Sequence, residues 1–214
     1  MTRDIKLLVV ACNTASAAAL SVLQEKLPIP VVGVIEPGAR RAVEVTRNGM
    51  VGVIGTTGTI RSSAYSKAIK QINPDISVLA KPCPLFVPLA EEGWTDNDVA
   101  CMTAQIYLRE FRDTNVDALV LGCTHYPLLK RLIAETVGPG VVLVDSAEET
   151  ALTVAEILRE NSLLRPPEEK GNHHYYVTDV PAGFISVGNR FLGGKLGDVY
   201  QVSLEDKRND YYRK

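Results

Sequence analysis

A chain of 214 residues, 46% of them hydrophobic, can bury a core as one domain or two small ones without covalent staples. Lys plus Arg is 23 against 25 Asp plus Glu, and a net charge of −2 offers no basic field for a polyanion, so nucleic acid is not an expected partner. No stretch approaches the roughly 20 apolar residues of a membrane span. The start TRDIKLLVVAC imitates a lipoprotein leader, but its apolar run LLVVA is shorter than the roughly 7–15 residues of a signal core, and Asp4 interrupts the basic region. The cysteines at 12, 83, 101 and 123 contain no CxxC pair and no repeated spacing, which argues against a zinc site or disulfide framework and for a reducing cytoplasm.

In chain order, short apolar runs (KLLVVA, VVGVI, VGVIG, ISVLA, ALVLG and VVLVD) alternate with helical patterns near 14–26, 37–47, 59–72, 96–112, 127–137 and 147–160. Such alternation predicts an α/β fold of βαβ units, with mainly parallel sheets covered by helices on both faces. The first helix carries apolar Ala15, Ala18, Ala19, Val22 and Leu23 at helical spacing and stops before Pro28. From residue 163 the rhythm breaks. LLRPPEEKGN reads as a polar connector, HHYYVTD as a strand, PAGFISVGNRFLGG as a short helix and DVYQVSL as a last strand before the charged end EDKRNDYYRK.

One local plan occurs twice. KLLVVACNTASAAALSVL and DALVLGCTHYPLLKRLI each run from an apolar strand through a small residue to Cys, a polar pair and an amphipathic helix. Cys12 and Cys123 therefore stand at strand-to-helix turns, where open α/β sheets bind ligands, and units facing one another would point both thiols into one cleft. A helix N-terminus favours thiolate, and Asn13, Thr14, Thr124 and His125 add donors beside the sulfurs. Two opposed thiols suit one task well: one takes a proton from a carbon acid while the other delivers a proton to the opposite face. Cys83 and Cys101 read as small core hydrophobes, and His173 and His174 carry no assigned role. VGVIGTTGTIRSSAY leads a strand into a Gly-Thr turn that lacks a Walker lysine and a dinucleotide fingerprint; taken alone it reads equally as an ordinary capped turn or as a site whose N–H groups and hydroxyls suit a carboxylate. Glu91 and Glu92 alone read as surface groups at a helix end.

ACNTASA, VIGTTGTI, CPLFVPLAEEGW, GCTHYPLL and VDSAEETA, in that order, together with the tail HHYYVTDVPAGFISVGNRFLGG, resemble the glutamate racemase family across nearly the whole chain. The resemblance implies two similar α/β subdomains with the active site in the cleft between them, one of residues 1–36 plus 146–214 and the other of residues 37–145. It implies racemisation of L- and D-glutamate without metal, pyridoxal phosphate or nicotinamide, supplying D-glutamate for bacterial peptidoglycan. Cys12 would serve D-glutamate and Cys123 L-glutamate, with His125 assisting Cys123. Asn13, Thr14, Thr124, Thr56, Thr59 and Glu91 would contact substrate. A small-molecule substrate is the expected partner, and a homodimer is left open.

Family members also carry an Asp-Ser-Gly turn and a Tyr-Gly pair ahead of the first catalytic cysteine, and neither precedes Cys12. Asp145-Ser146 belongs to a different, later family segment. The expectation is an incomplete first subdomain with an unpaired sheet edge and lost or severely weakened activity. An aspartate or hydantoin racemase of the same superfamily, or a carboxylate-binding remnant without turnover, are the competing readings.

Overall fold

The computed structural model describes residues 5–194 and 196–203. The chain divides into two compact units, Ile5–Leu164 and the segment from Arg165 onward. The larger unit runs β1 (Leu8–Val10), α1 (Asn13–Lys26), β2 (Val31–Gly33), α2 (Ile35–Val45), β3 (Met50–Gly55), α3 (Thr57–Arg61), α4 (Ala64–Ile72), β4 (Ser77–Pro82), α5 (Phe86–Glu92), α6 (Asp98–Arg112), β5 (Ala118–Gly122), a 3-10 turn (Tyr126–Leu129), α7 (Lys130–Val137), β6 (Val142–Asp145) and α8 (Ser146–Glu160). The smaller unit holds β7 (Tyr175–Val177), α9 (Pro181–Leu192) and β8 (Val199–Gln201), with β7 and β8 parallel. The charged end, EDKRNDYYRK, lies outside the described residues.

The predicted α/β class with parallel sheets is what the chain forms. β4-β3-β5-β6 make one parallel sheet and β1-β2 a second, smaller one. β3 and β5 are central and almost wholly buried, which is why both read as unbroken apolar runs. Alternate residues of β5 feed opposite cores: Leu119 and Leu121 join Phe86, Leu108, Phe111, Tyr126 and Ile133, whereas Ala118 and Val120 join Ile35, Ala39, Tyr65 and Ile69. At roughly 1.5–3 kcal/mol per large apolar side chain removed from water, these two layers dominate the stabilisation of this unit. No described helix is long and apolar enough to cross a membrane.

Four local features depart from the periodicity. The helix expected over 59–72 is two helices, because Ser63 adopts a left-handed conformation (φ 57°) between α3 and α4. The pattern over 127–137 opens with the 3-10 turn before α7 begins. α5 lies in the proline-punctuated stretch, where only a helix end at Glu91 and Glu92 was expected; Pro88 falls in its first turn, where the backbone N–H groups have no helical partner in any case. α1 buries Asn13 and Ser16 rather than its alanine face: Ala15 and Ala18 are exposed, as is Val22. Asn13 bonds Tyr65 of α4 and Ser16 the ends of β1 and β2, so polar anchors fix this face of the helix.

A candidate two-thiol active site

Cys12 is the N-cap of α1, with extended backbone (φ −75°, ψ 123°), and its side chain makes no capping hydrogen bond. The thiol is exposed. The end of β1 is held by Ser16, whose hydroxyl donates to the Val10 carbonyl (2.7 Å) and accepts the Val34 N–H at the end of β2 (3.4 Å). Asn13 is 2% exposed, and its Oδ1 accepts the Tyr65 hydroxyl at 2.6 Å. Thr14 reaches across to the Gly-Thr turn. Its Oγ1 lies 2.8 Å from Thr56 Oγ1 and 3.0 Å from Thr59 Oγ1, and those two are 3.1 Å apart. Thr56 also caps α3 by accepting the Thr59 N–H. The three hydroxyls form a closed triangle at the start of a helix.

Cys123 follows the last residue of β5. Gly122 is in register with Gly55 at the end of β3, so the segment bearing Cys123 and the one bearing Thr56 leave the sheet side by side. The Cys123 thiol is buried, with Sγ 3.8 Å from His125 Nδ1. Thr124 Oγ1 approaches the same ring nitrogen at 3.4 Å. The far nitrogen, His125 Nε2, lies 3.1 Å from Glu91 Oε1 at the end of α5. Tyr126 locks this turn from beneath. Its N–H donates to the Cys123 carbonyl (3.1 Å), its hydroxyl donates to the Cys83 carbonyl (2.8 Å), and its ring meets Phe86 edge-on.

The electrostatics correct one expectation. A helix start was expected to favour thiolate, yet burial pushes the Cys123 thiol up; the N–H groups of His125 and Tyr126 and the Thr124 hydroxyl pull the other way without prevailing. The 3-10 turn begins only at Tyr126, so Cys123 is not itself the cap of an α-helix. A negative charge on Cys12 would add to the upward push on Cys123, as a smaller contribution than burial. Cys83 and Cys101 behave as the core hydrophobes they were read to be: Cys83 is fully buried, its thiol pushed up to about 12 by burial, and Cys101 packs against the core.

A cavity of about 290 Å3 opens at Cys123, lined among others by Val9, Ala11, Thr124, Ser146 and Thr150. It joins the end of β1, the turn after β5 and the first turns of α8. Of the residues picked out in the sequence, the structure gathers Asn13, Thr14, Thr56 and Thr59 around Cys12, and Thr124, His125 and Glu91 around Cys123. Tyr65 and Ser146 were missed. Tyr65 sits in a Ser-Ser-Ala-Tyr run that reads as ordinary helix, and no local signal marks it.

A parallel α/β scaffold presenting two thiols at strand ends, each beside hydroxyl donors, is the architecture of an acid–base isomerase. The chain belongs to the Asp/Glu/hydantoin racemase family, whose model matches residues 2–154. It is 75% identical over 206 residues to the glutamate racemase of Geobacter metallireducens, covering 96% of this chain and 76% of that protein. Among solved structures, a glutamate racemase isoform from Bacillus anthracis superposes with a TM-score of 0.89 at 40% identity, covering 94% of this chain and 74% of that one. The glutamate racemase of Francisella tularensis, solved in complex with D-glutamate, matches with a TM-score of 0.87 at 39% identity, covering 94% and 75%.

Proposed function

We propose that the chain is a glutamate racemase that inverts the α-carbon with two thiols. The observation that carries this reading is the placement of Cys12 and Cys123 directly after β1 and β5, Cys12 exposed at the start of α1 and Cys123 opening onto the cavity that Val9 and Ala11 also line. Racemisation needs one thiolate as base and one thiol as acid. From D-glutamate, Cys12 as thiolate takes the α-proton. The C–H electron pair passes into the α-carboxylate, and the carbanion then takes the Cys123 proton on its opposite face. From L-glutamate the roles reverse. His125, 3.8 Å from the Cys123 sulfur and held by Glu91, can trade a proton with that thiol.

The hydroxyl triangle of Thr14, Thr56 and Thr59, with Asn13 beside it and Thr124 across the site, supplies donors for the substrate carboxylates. Glu91 enters through His125 and adds negative charge at that end, where a substrate ammonium group is favoured. The division into subdomains of residues 1–36 with 146–214 and of residues 37–145 is part of the proposal. It is supported by the separation of the β1-β2 sheet from the four-stranded sheet. Supply of D-glutamate to peptidoglycan in the cytoplasm completes it. The test is circular dichroism of D-glutamate, L-glutamate and L-aspartate solutions incubated with the chain. Optical activity decaying for both glutamates and persisting for aspartate is expected; a steady glutamate signal, or equal decay of aspartate, overturns the assignment.

A further inference from the structure

Tyr65 has a peculiar setting for a helix residue. It is 3% exposed, near the start of α4, with its ring and its hydroxyl turned to different parts of the site. The ring lies against Gly122, the residue before Cys123: a Cβ on that glycine would come within 3.1 Å of Tyr65 Cε2. The hydroxyl donates to Oδ1 of Asn13, the residue after Cys12, at 2.6 Å. Asn13 has little else to hold it, since its Nδ2 is buried and has no hydrogen-bond partner among the described residues. The Ser146 side chain stands near the phenol on its other side, both lying within about 3.3 Å of where a Cβ on Gly38 would be. Gly38 leaves the room for this, because a Cβ there would lie 3.3 Å from the Tyr65 hydroxyl and 3.1 Å from Ser146 Cβ.

We infer that Tyr65 is a positioning residue that sets the gap between the two thiols, its ring braced on the neighbour of Cys123 and its hydroxyl tethering the neighbour of Cys12. An aromatic ring is a rigid strut, whereas the amide it holds can rotate once released. Losing the hydroxyl therefore loosens the Cys12 side and leaves the Cys123 side braced. This rests on the two-thiol reading above, and it predicts an asymmetric defect. With L-glutamate, Cys123 still takes the α-proton, exchanges it with solvent and returns a solvent proton to the same face. Delivery from a displaced Cys12 to the opposite face fails more often.

The experiment incubates the chain with L-glutamate in deuterium oxide, reading α-deuteration by proton NMR and inversion by circular dichroism, for the wild type, Tyr65→Phe, Ser146→Ala, Asn13→Ala and the Tyr65→Phe/Asn13→Ala double variant. Removing one buried hydrogen bond predicts inversion about tenfold slower in Tyr65→Phe, with deuteration less affected, so that the ratio of exchange to inversion rises several-fold. Ser146→Ala should shift the ratio in the same direction by less, and the double variant should be no slower than Asn13→Ala. Tyr65→Phe and Ser146→Ala variants with the wild-type ratio overturn the positioning role, as does an equal fall of exchange and inversion, the mark of a merely structural residue. A wild-type chain that exchanges neither enantiomer overturns the two-thiol reading itself, and this inference with it.

Discussion

Gly122 is where the sheet and the site constrain each other most tightly. A Cβ at this position would stand 2.7 Å from the Ile54 carbonyl oxygen and 3.1 Å from the Tyr65 ring. Ile54 is fully buried on β3, which is hydrogen-bonded to β4 on one side and β5 on the other, so its carbonyl cannot retreat without breaking a ladder. Gly33 provides the control. A Cβ there would meet Leu20 Cδ2 at 2.5 Å, a shorter contact, but with the tip of a flexible, half-buried side chain. Overpacking a core costs about 1–3 kcal/mol, and the backbone clash places Gly122→Ala at about 3 kcal/mol, whereas rotation of Leu20 keeps Gly33→Ala below about 1 kcal/mol. At roughly 2–4 °C per kcal/mol for a chain of this size, Gly122→Ala should melt about 6–12 °C below the wild type. Thermal and urea unfolding of the two variants, followed by far-UV circular dichroism, makes the comparison. Equal destabilisation, or the greater loss in Gly33→Ala, would refute the argument that an immovable neighbour matters more than a short distance.

Asp117 accepts hydrogen bonds from the Thr46 hydroxyl and from the Arg47 and Asn48 N–H groups (2.7 and 3.0 Å); burial raises its pKa, but these bonds outweigh it and hold the carboxyl below the usual carboxylate range. Its contribution is therefore present above the unfolded-state pKa of about 3.9 and is lost as pH falls through the lower folded value. The stability gap between wild type and Asp117→Asn should accordingly narrow under acid in urea titrations, and a gap independent of pH would contradict this. Iodoacetamide should modify exposed Cys12 well before buried Cys123, and Cys12→Ser should move the pH dependence of Cys123 alkylation downward by removing the neighbouring charge. Peptide mapping by mass spectrometry reads both, and an unmoved profile would remove the coupling. Glu91→Gln leaves a hydrogen-bonding group 3.1 Å from His125 but no charge; it should lower kcat/KM by about tenfold, less than His125→Ala, where the group that trades protons is gone. Equal kcat/KM in wild type and Glu91→Gln would disconnect Glu91 from the site.

Periodicity was sufficient for the sheet because β3 and β5 are buried on both faces and must be apolar throughout. Both cysteine turns were legible because each puts a polar Cys-Asn-Thr or Cys-Thr-His directly after an apolar run and before a helix. Features set by tertiary contact were not legible. The start of α5 before Pro88 was not legible, although a proline in a first turn is no obstacle. The buried polar residues of α1, Asn13 against Tyr65 and Ser16 against the ends of β1 and β2, are set by contacts no helical pattern reports. Burial of Cys123, which reverses the pKa expected of a helix-start thiol, depends on packing over the turn by elements distant in sequence. Tyr65 illustrates the limit best: its neighbours Gly122, Asn13 and Ser146 come from three separate segments, and only the fold assembles them.

The central claim is that inversion requires both thiols. Its most direct test is the rate of optical-activity loss for D- and L-glutamate with the wild type, Cys12→Ser and Cys123→Ser, each first shown to melt as the wild type does. The account predicts racemisation by the wild type and loss of inversion in both directions in either variant, because each variant lacks one of the two proton carriers. Full two-way racemisation by Cys123→Ser, or by Cys12→Ser, would contradict it.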